Sequence, residues 1–202
     1  MAKPISSNQS GFSMIEVLVT LMITLIGLLG LAGLMIQAHG AELESYQRAQ
    51  ALILMQDMID RIEINRNVPS CYAVTTNVST GAPYLGTGSS VTATCSAGTP
   101  SQQAKAIADV AAWDNALKGS TESLGGASVG AMVGARGCIV QEDAANKIYR
   151  VSVAWQGKLK TIDPTTVQPV AINANLTCGK GLYGDERQRR IVSTALRIGT
   201  LN

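Results

Sequence analysis

Histidine and phenylalanine each occur once, as His39 and Phe12, and aromatic residues make up only 4% of the 202-residue chain. A single histidine excludes a His-rich metal centre. His39 also stands where an apolar run ends, without the partners that a general base or a catalytic triad requires. Charge is scarce as well: 15% of residues are charged and the formal net charge is +2, too small an excess to argue for nucleic acid. No charged side chain occurs from Val17 to Ile36. No cysteine precedes Cys71, and none of the four has the Cys-x-x-Cys spacing of a zinc ribbon or thioredoxin motif. Neither a metal nor a cofactor is expected, and no residue is singled out as catalytic.

The uncharged run is about 20 residues long and as a helix would cross roughly 30 Å of hydrocarbon. A secretory signal has a shorter apolar core, a basic start and a small-residue cleavage site. Here the core is too long, and the preceding residues are polar with Lys3 as the only basic side chain. Cleavage near Ala38-His39-Gly40 is the alternative, and it would leave Glu16 without a purpose. A carboxylate near mid-bilayer costs roughly 2.5 to 3.5 kcal/mol, so Glu16 needs a partner or a place close to the membrane surface.

Glu16 sits in Gly11-Phe12-Ser13-Met14-Ile15-Glu16-Val17, where a polar leader meets the apolar run. This pattern resembles the class III leader of type IV prepilins and pseudopilins. The resemblance implies that a membrane-bound prepilin peptidase cuts between Gly11 and Phe12 and methylates the new Phe12 amine. It also implies that Glu16, then the fifth residue, meets the amine of a neighbouring subunit during assembly. Independent physics agrees: cleavage creates a cation at Phe12, and the first turn of a helix favours an anion.

Beyond the run, Leu43, Tyr46, Leu52, Met55, Ile59 and Ile62 recur at helical spacing, with Glu44, Arg48, Gln56, Asp60, Arg61 and Glu63 as the polar complement. One helix is predicted from Ser13 to Arg66, stopped by Asn67 and Pro69. Gly27, Gly30 and Gly33 lie in its apolar half. They read equally as close-packing positions or as the ordinary glycine content of membrane helices.

The chain divides, on this reading, into a cleaved leader (1–11), a membrane-spanning or filament-core half-helix (12–36), an amphipathic half-helix (37–67) and a periplasmic head (68–202). Residues 71–100 are rich in Thr, Ser, Gly and Ala with few charges, which predicts loops and at most short strands. Thr99-Pro100 opens a second helix over about 100–118, with Ile107, Val110, Ala111 and Leu117 at helical spacing. Ser120–Gly137 is glycine-rich and is expected to be a loop, since it fits neither a dinucleotide fingerprint nor a Walker loop. Strands are predicted at Ile148–Trp155, half-buried, then at Leu159–Ile162, Val170–Thr177 and Arg190–Ile198. The fold class is α+β: a long helix packed on a small antiparallel sheet at about 148–198.

Cys71, Cys95, Cys138 and Cys178 all follow the spanning run, on the side where disulfides persist if that side is periplasmic. Four cysteines allow three pairings that sequence cannot separate; nearest neighbours, Cys71 with Cys95 and Cys138 with Cys178, are the preferred pairing. Asn77-Val78-Ser79 and Asn175-Leu176-Thr177 match the glycosylation sequon, which matters only with the matching machinery.

A narrower resemblance runs through Gly27-Leu28-Leu29-Gly30-Leu31-Ala32-Gly33-Leu34, Arg48-Ala49-Gln50-Ala51, Asp57-Met58-Ile59-Asp60-Arg61 and Asn65-Arg66-Asn67. With Asp109-Val110-Ala111-Ala112-Trp113, the Trp155 strand and the Arg-rich closing strand, these look like the PilV family of type IV pilus minor pilins. That likeness implies a low-abundance subunit priming pilus assembly at the tip. Its implied partners are prepilin peptidase, other minor pilins, the major pilin and the inner membrane assembly machinery. It implies single-pass insertion, with the N-terminus cytoplasmic and the head periplasmic, before incorporation into the pilus. A type II secretion pseudopilin has the same leader and helix. A DNA-binding pilin would rest on Lys180, Arg187, Arg189, Arg190 and Arg197, a local basic excess without interleaved aromatics.

Overall fold

The computed structural model describes residues 11–120, 123–124, 127–128, 132–169 and 173–199. Helix α1 spans Met14–Ile64, and the chain divides into two units, Met1–Leu43 and Glu44–Asn202. In the first unit the side chains from Phe12 to Ile36 are exposed all round. With no apolar face turned inward and no charge after Glu16, this helix is long and apolar enough to cross a membrane.

In the second unit α1 becomes one-sided. Ala51, Met58 and Ile62 are fully buried, with Met55 packed between them; the spacing of four, three and four residues is one stripe of a 3.6-residue period. Leu43, Tyr46 and Leu52, expected on the buried face, are instead exposed. Hydrophobicity put them with Met55 and Ile59, but the helical angle turns them away from that stripe.

A short 3-10 helix, Pro69–Tyr72, and the two-residue strand β1, Leu85–Gly86, lead to α2 at Pro100–Leu117. Thr99 and Gln102 form a reciprocal capping box and Pro100 occupies the first turn, so three residues set the start of α2. The helix buries Ala106, Val110, Trp113 and Leu117, again at intervals of four, three and four. Ile107 and Ala111, predicted on that face, are exposed. Gly119, at φ +83°, follows the end of the helix where a left-handed residue is favoured.

Strands β2 (Ser123–Leu124) and β3 (Ala127–Ser128) form a separate antiparallel pair. The main sheet is antiparallel in the order β1-β4-β5-β6, with β4 at Arg136–Asp143, β5 at Ile148–Gln156 and β6 at Arg189–Arg197. The sheet therefore begins well before residue 148. Gly137 belongs to β4 rather than to a glycine-rich loop, because a Cβ there would collide with the Trp113 ring and Leu117.

Central strand β5 is buried on both faces. Tyr149, Val151, Val153 and Trp155 join the α1–α2 core, while Ala154 meets Cys138, Cys178 and Tyr183 on the opposite side. The expected half-buried strand is thus covered twice, because the segment around the Cys138–Cys178 bridge forms a second layer. No strand forms at Leu159–Ile162, where Leu159 and Ile162 are exposed, nor at 173–177. Residues 170–172 of the predicted Val170–Thr177 strand lie outside the described residues.

Candidate functional site

The expected cleavage point is simple at the level of backbone. Gly11 and Phe12 have no secondary structure, and the Phe12 side chain is 84% exposed two residues before α1 begins. Ser13 starts the helix: its Oγ and its carbonyl both accept from the Glu16 N–H, at 3.3 and 3.1 Å. Ser13 is therefore placed as an N-cap with Glu16 as the third helical residue, the Ser-x-x-Glu spacing in which an acid faces unpaired N–H groups. Among the described residues no ion pair involves Glu16. Residues 1–10 of the expected leader lie outside the described residues. Thr20 and Thr24 donate to the carbonyls of Val17 and Thr20 at 2.9 and 2.7 Å, so neither hydroxyl needs water in an apolar surrounding.

Gly27, Gly30 and Gly33 have open space where a side chain would stand. Nothing within the described residues therefore demands glycine at these positions. Exposed His39 stands 3.5 Å from the Glu42 carboxylate, one turn along the helix.

In the head, Cys71 is bonded to Cys95 and Cys138 to Cys178. The basic residues of the closing segment are largely engaged. Arg189 is fully buried, donating to Glu186 at 2.7 Å and to the carbonyls of Leu176 and Cys178 at 2.6 and 3.3 Å. Arg190 binds Glu44 of α1 at 2.5 Å, and Arg187 grips Asp185 through two nitrogens. Hydrogen bonds from Arg187 and Lys160 hold the Asp185 carboxyl well below the usual range. Three of the five cations proposed to meet phosphate are thus already paired, which removes most of the basic excess.

Residues 6–32 match the prokaryotic N-terminal methylation motif. Residues 33–111, running from α1 into α2, match the type IV pilin Tt1218 family. Over residues 6–111 the chain is that of a type IV pilin subunit. No curated protein and no solved structure matches it. The two matched stretches abut, so the pilin assignment covers the junction, all of α1 and most of α2. The strands β4 to β6 lie beyond it. Pilins are structural subunits, and the methylation motif implies processing by prepilin peptidase and assembly with other pilins.

The pilin head also holds a polar cluster that sequence reading missed. Asp109 is buried and accepts from Arg61 at 3.0 Å, Lys105 at 3.1 Å and the Tyr72 hydroxyl at 2.8 Å. Arg61 also binds Asp57 at 2.9 Å, and Asn65 donates to Tyr72 at 3.1 Å. Burial, together with the Asp109 charge, pushes the Tyr72 hydroxyl far above its usual pKa, so it remains a donor. The cluster ties α1, the 3-10 helix and α2 together in place of purely apolar contacts. Only the Asp57-Arg61 and Lys105-Asp109 pairs, each four residues apart, carried a local signal. Arg136 is likewise a tertiary feature, its guanidinium lying 4.7 Å from the Tyr183 ring and 5.4 Å from the Tyr84 ring.

Proposed function

We propose that this pilin is a minor subunit that helps to initiate type IV pilus assembly, within a tip complex, and so supports pilus-dependent motility or adhesion. The observation that carries the reading is the junction itself: an exposed Gly11-Phe12 bond directly before a helix whose first turn holds Glu16 within an apolar stretch. Cleavage there removes 1–11 and leaves a positive amine at Phe12, which is then methylated. Glu16 gives that amine of an adjoining subunit a counter-charge, and pairing relieves a charge otherwise isolated in an apolar surrounding. Residues 12–36 serve first as a membrane anchor with the N-terminus cytoplasmic, then as filament core; 37–67 connect to the periplasmic head, 68–202. The likeness of the quoted helix and Trp113 segments to the PilV family supports the minor role. Its partners would be other minor pilins, the major pilin and the inner membrane assembly machinery.

Deletion of the gene tests the reading. Loss of surface pili with unaffected exoprotein secretion is the expected result. Intact pili with blocked secretion would instead make the chain a type II secretion pseudopilin.

A further inference from the structure

The stretch Cys71–Pro100 contains no charged side chain. Within it, Ser89–Ser96 runs without turn, bend or ladder, yet burial alternates strictly from Val91 to Gly98: Val91, Ala93, Cys95 and Ala97 are half-buried, and Thr92, Thr94, Ser96 and Gly98 exposed. Such alternation is the signature of a strand lying on a core. Val91, Ala93 and Cys95 pack against the main core, and the Cys71–Cys95 bridge fastens the segment to the head. Among the described residues, no hydrogen bond engages the main-chain N–H or C=O groups of Thr92 to Ser96, while the Val91 N–H donates to the Ser89 Oγ at 3.1 Å. A cavity of about 210 Å³ adjoins this segment, walled by Leu85, Val91, Ala93, Ile107, Val110 and Ala111. Asp114 also lines it, its carboxylate held by the Gly86 N–H at 2.7 Å and by Lys118 at 2.5 Å. The whole feature is electrically neutral.

We propose that Val91–Ser96 is a docking edge for an extended, uncharged segment of a different pilin subunit, added as a strand, with an apolar side chain in the cavity beside α2. This partner rests on the pilin reading above. Proteins ordinarily block such an edge with lysine, proline or a bulge, and between Gly88 and Thr99 there is no lysine or proline. Strand addition draws affinity from main-chain hydrogen bonds and specificity from a pocket for alternate side chains, and both parts are present here. Fastening by a disulfide means that little order has to be gained on binding. Neutral walls favour a neutral partner over a charged one, since an unpaired charge would lose its water.

The test uses the full chain in cells, measuring its amount in sheared pili alongside leader processing and protease resistance of the head. Ala111→Glu puts a charge at the cavity from an exposed helix position and is expected to lower the amount in pili about tenfold, since docking would strip water from an unpaired carboxylate. Ala112→Glu, the adjacent exposed position, is expected to behave as wild type, with both heads equally protease-resistant. Adjacent N–H groups of a strand point to opposite edges, so either Thr92→Pro or Ala93→Pro is expected to cause a similar loss. Wild-type amounts in Ala111→Glu and in both proline variants would overturn the edge. A photoreactive residue at position 94 is expected to cross-link to a different pilin. Cross-linking to a second copy, or to residues 121–131 of the same chain, would overturn that assignment. Absence of the wild-type chain from pili would be seen before any variant is compared, and would overturn the pilin reading and this partner with it.

Discussion

At the scale of single residues, charge placement separates the two ends of the pilin. Glu16 stands in the first turn of α1 among exposed apolar side chains, whereas Asp109 is buried with three donors. On the proposed pairing, removing Glu16 takes away a counter-charge between subunits, so Glu16→Ala should leave leader cleavage intact. It should lower the amount in pili roughly tenfold, as expected for about 1.4 kcal/mol of lost pairing. Immunoblots of membrane and sheared-pilus fractions check this, and normal incorporation would refute the pairing. Tyr72→Phe should destabilise the processed chain in detergent by about 1 to 3 kcal/mol, because Asp109 loses a buried donor. The same variant has a pH signature. Tyr72 ionises with more difficulty when folded than when unfolded, so its contribution is complete below about pH 10 and is lost as pH rises toward the higher folded value. Tyr149 and Tyr183 are shifted in the same direction by burial, so the wild type should lose stability in alkali, and Tyr72→Phe should lose less of it. Denaturant titrations at neutral and alkaline pH would show the difference; equal alkaline losses would contradict it.

At the scale of elements, those with local instructions were legible. Helix α1 follows from its period and from Ser13, α2 from Thr99-Pro100 and Gln102, and β5 and β6 from alternation. What escaped was set by contacts distant in sequence. Strand β4 contains Gly137, which reads as a loop residue but is glycine because Trp113 lies against it. Likewise nothing in Ile148–Trp155 announces the layer that covers its second face. Exposed Leu159 and Ile162 imitate a strand through composition alone. The N-terminal methylation motif was legible because its information is contiguous; the Asp109 cluster was not, because it joins three elements. Gly137→Ala should cost about 1 to 3 kcal/mol by forcing the Trp113 ring from its place, where its Nε1 donates to the Leu54 carbonyl at 2.8 Å. A lower thermal midpoint with altered tryptophan fluorescence is expected. Wild-type stability would mean that β4 and α2 tolerate separation.

At the scale of the whole molecule, the pilin joins an apolar half-helix to a head closed by two disulfides spanning 24 and 40 residues. On the loop-entropy model these bridges stabilise by about 3.5 and 4 kcal/mol. Cys138→Ser with Cys178→Ser should therefore lower stability by several kcal/mol and leave the head protease-sensitive; unchanged resistance would show that the second layer holds without its bridge. At the other end we propose that the assembled subunit begins at Phe12, and that Glu16 meets an amine that only cleavage creates. Intact-mass and N-terminal peptide measurements on chain recovered from sheared pili test this most directly. A chain lacking residues 1–11, starting at Phe12 and carrying one methyl group on its amine, is the predicted result. A pilus-borne chain that retains the leader, or one cut beyond Ala38, would contradict it.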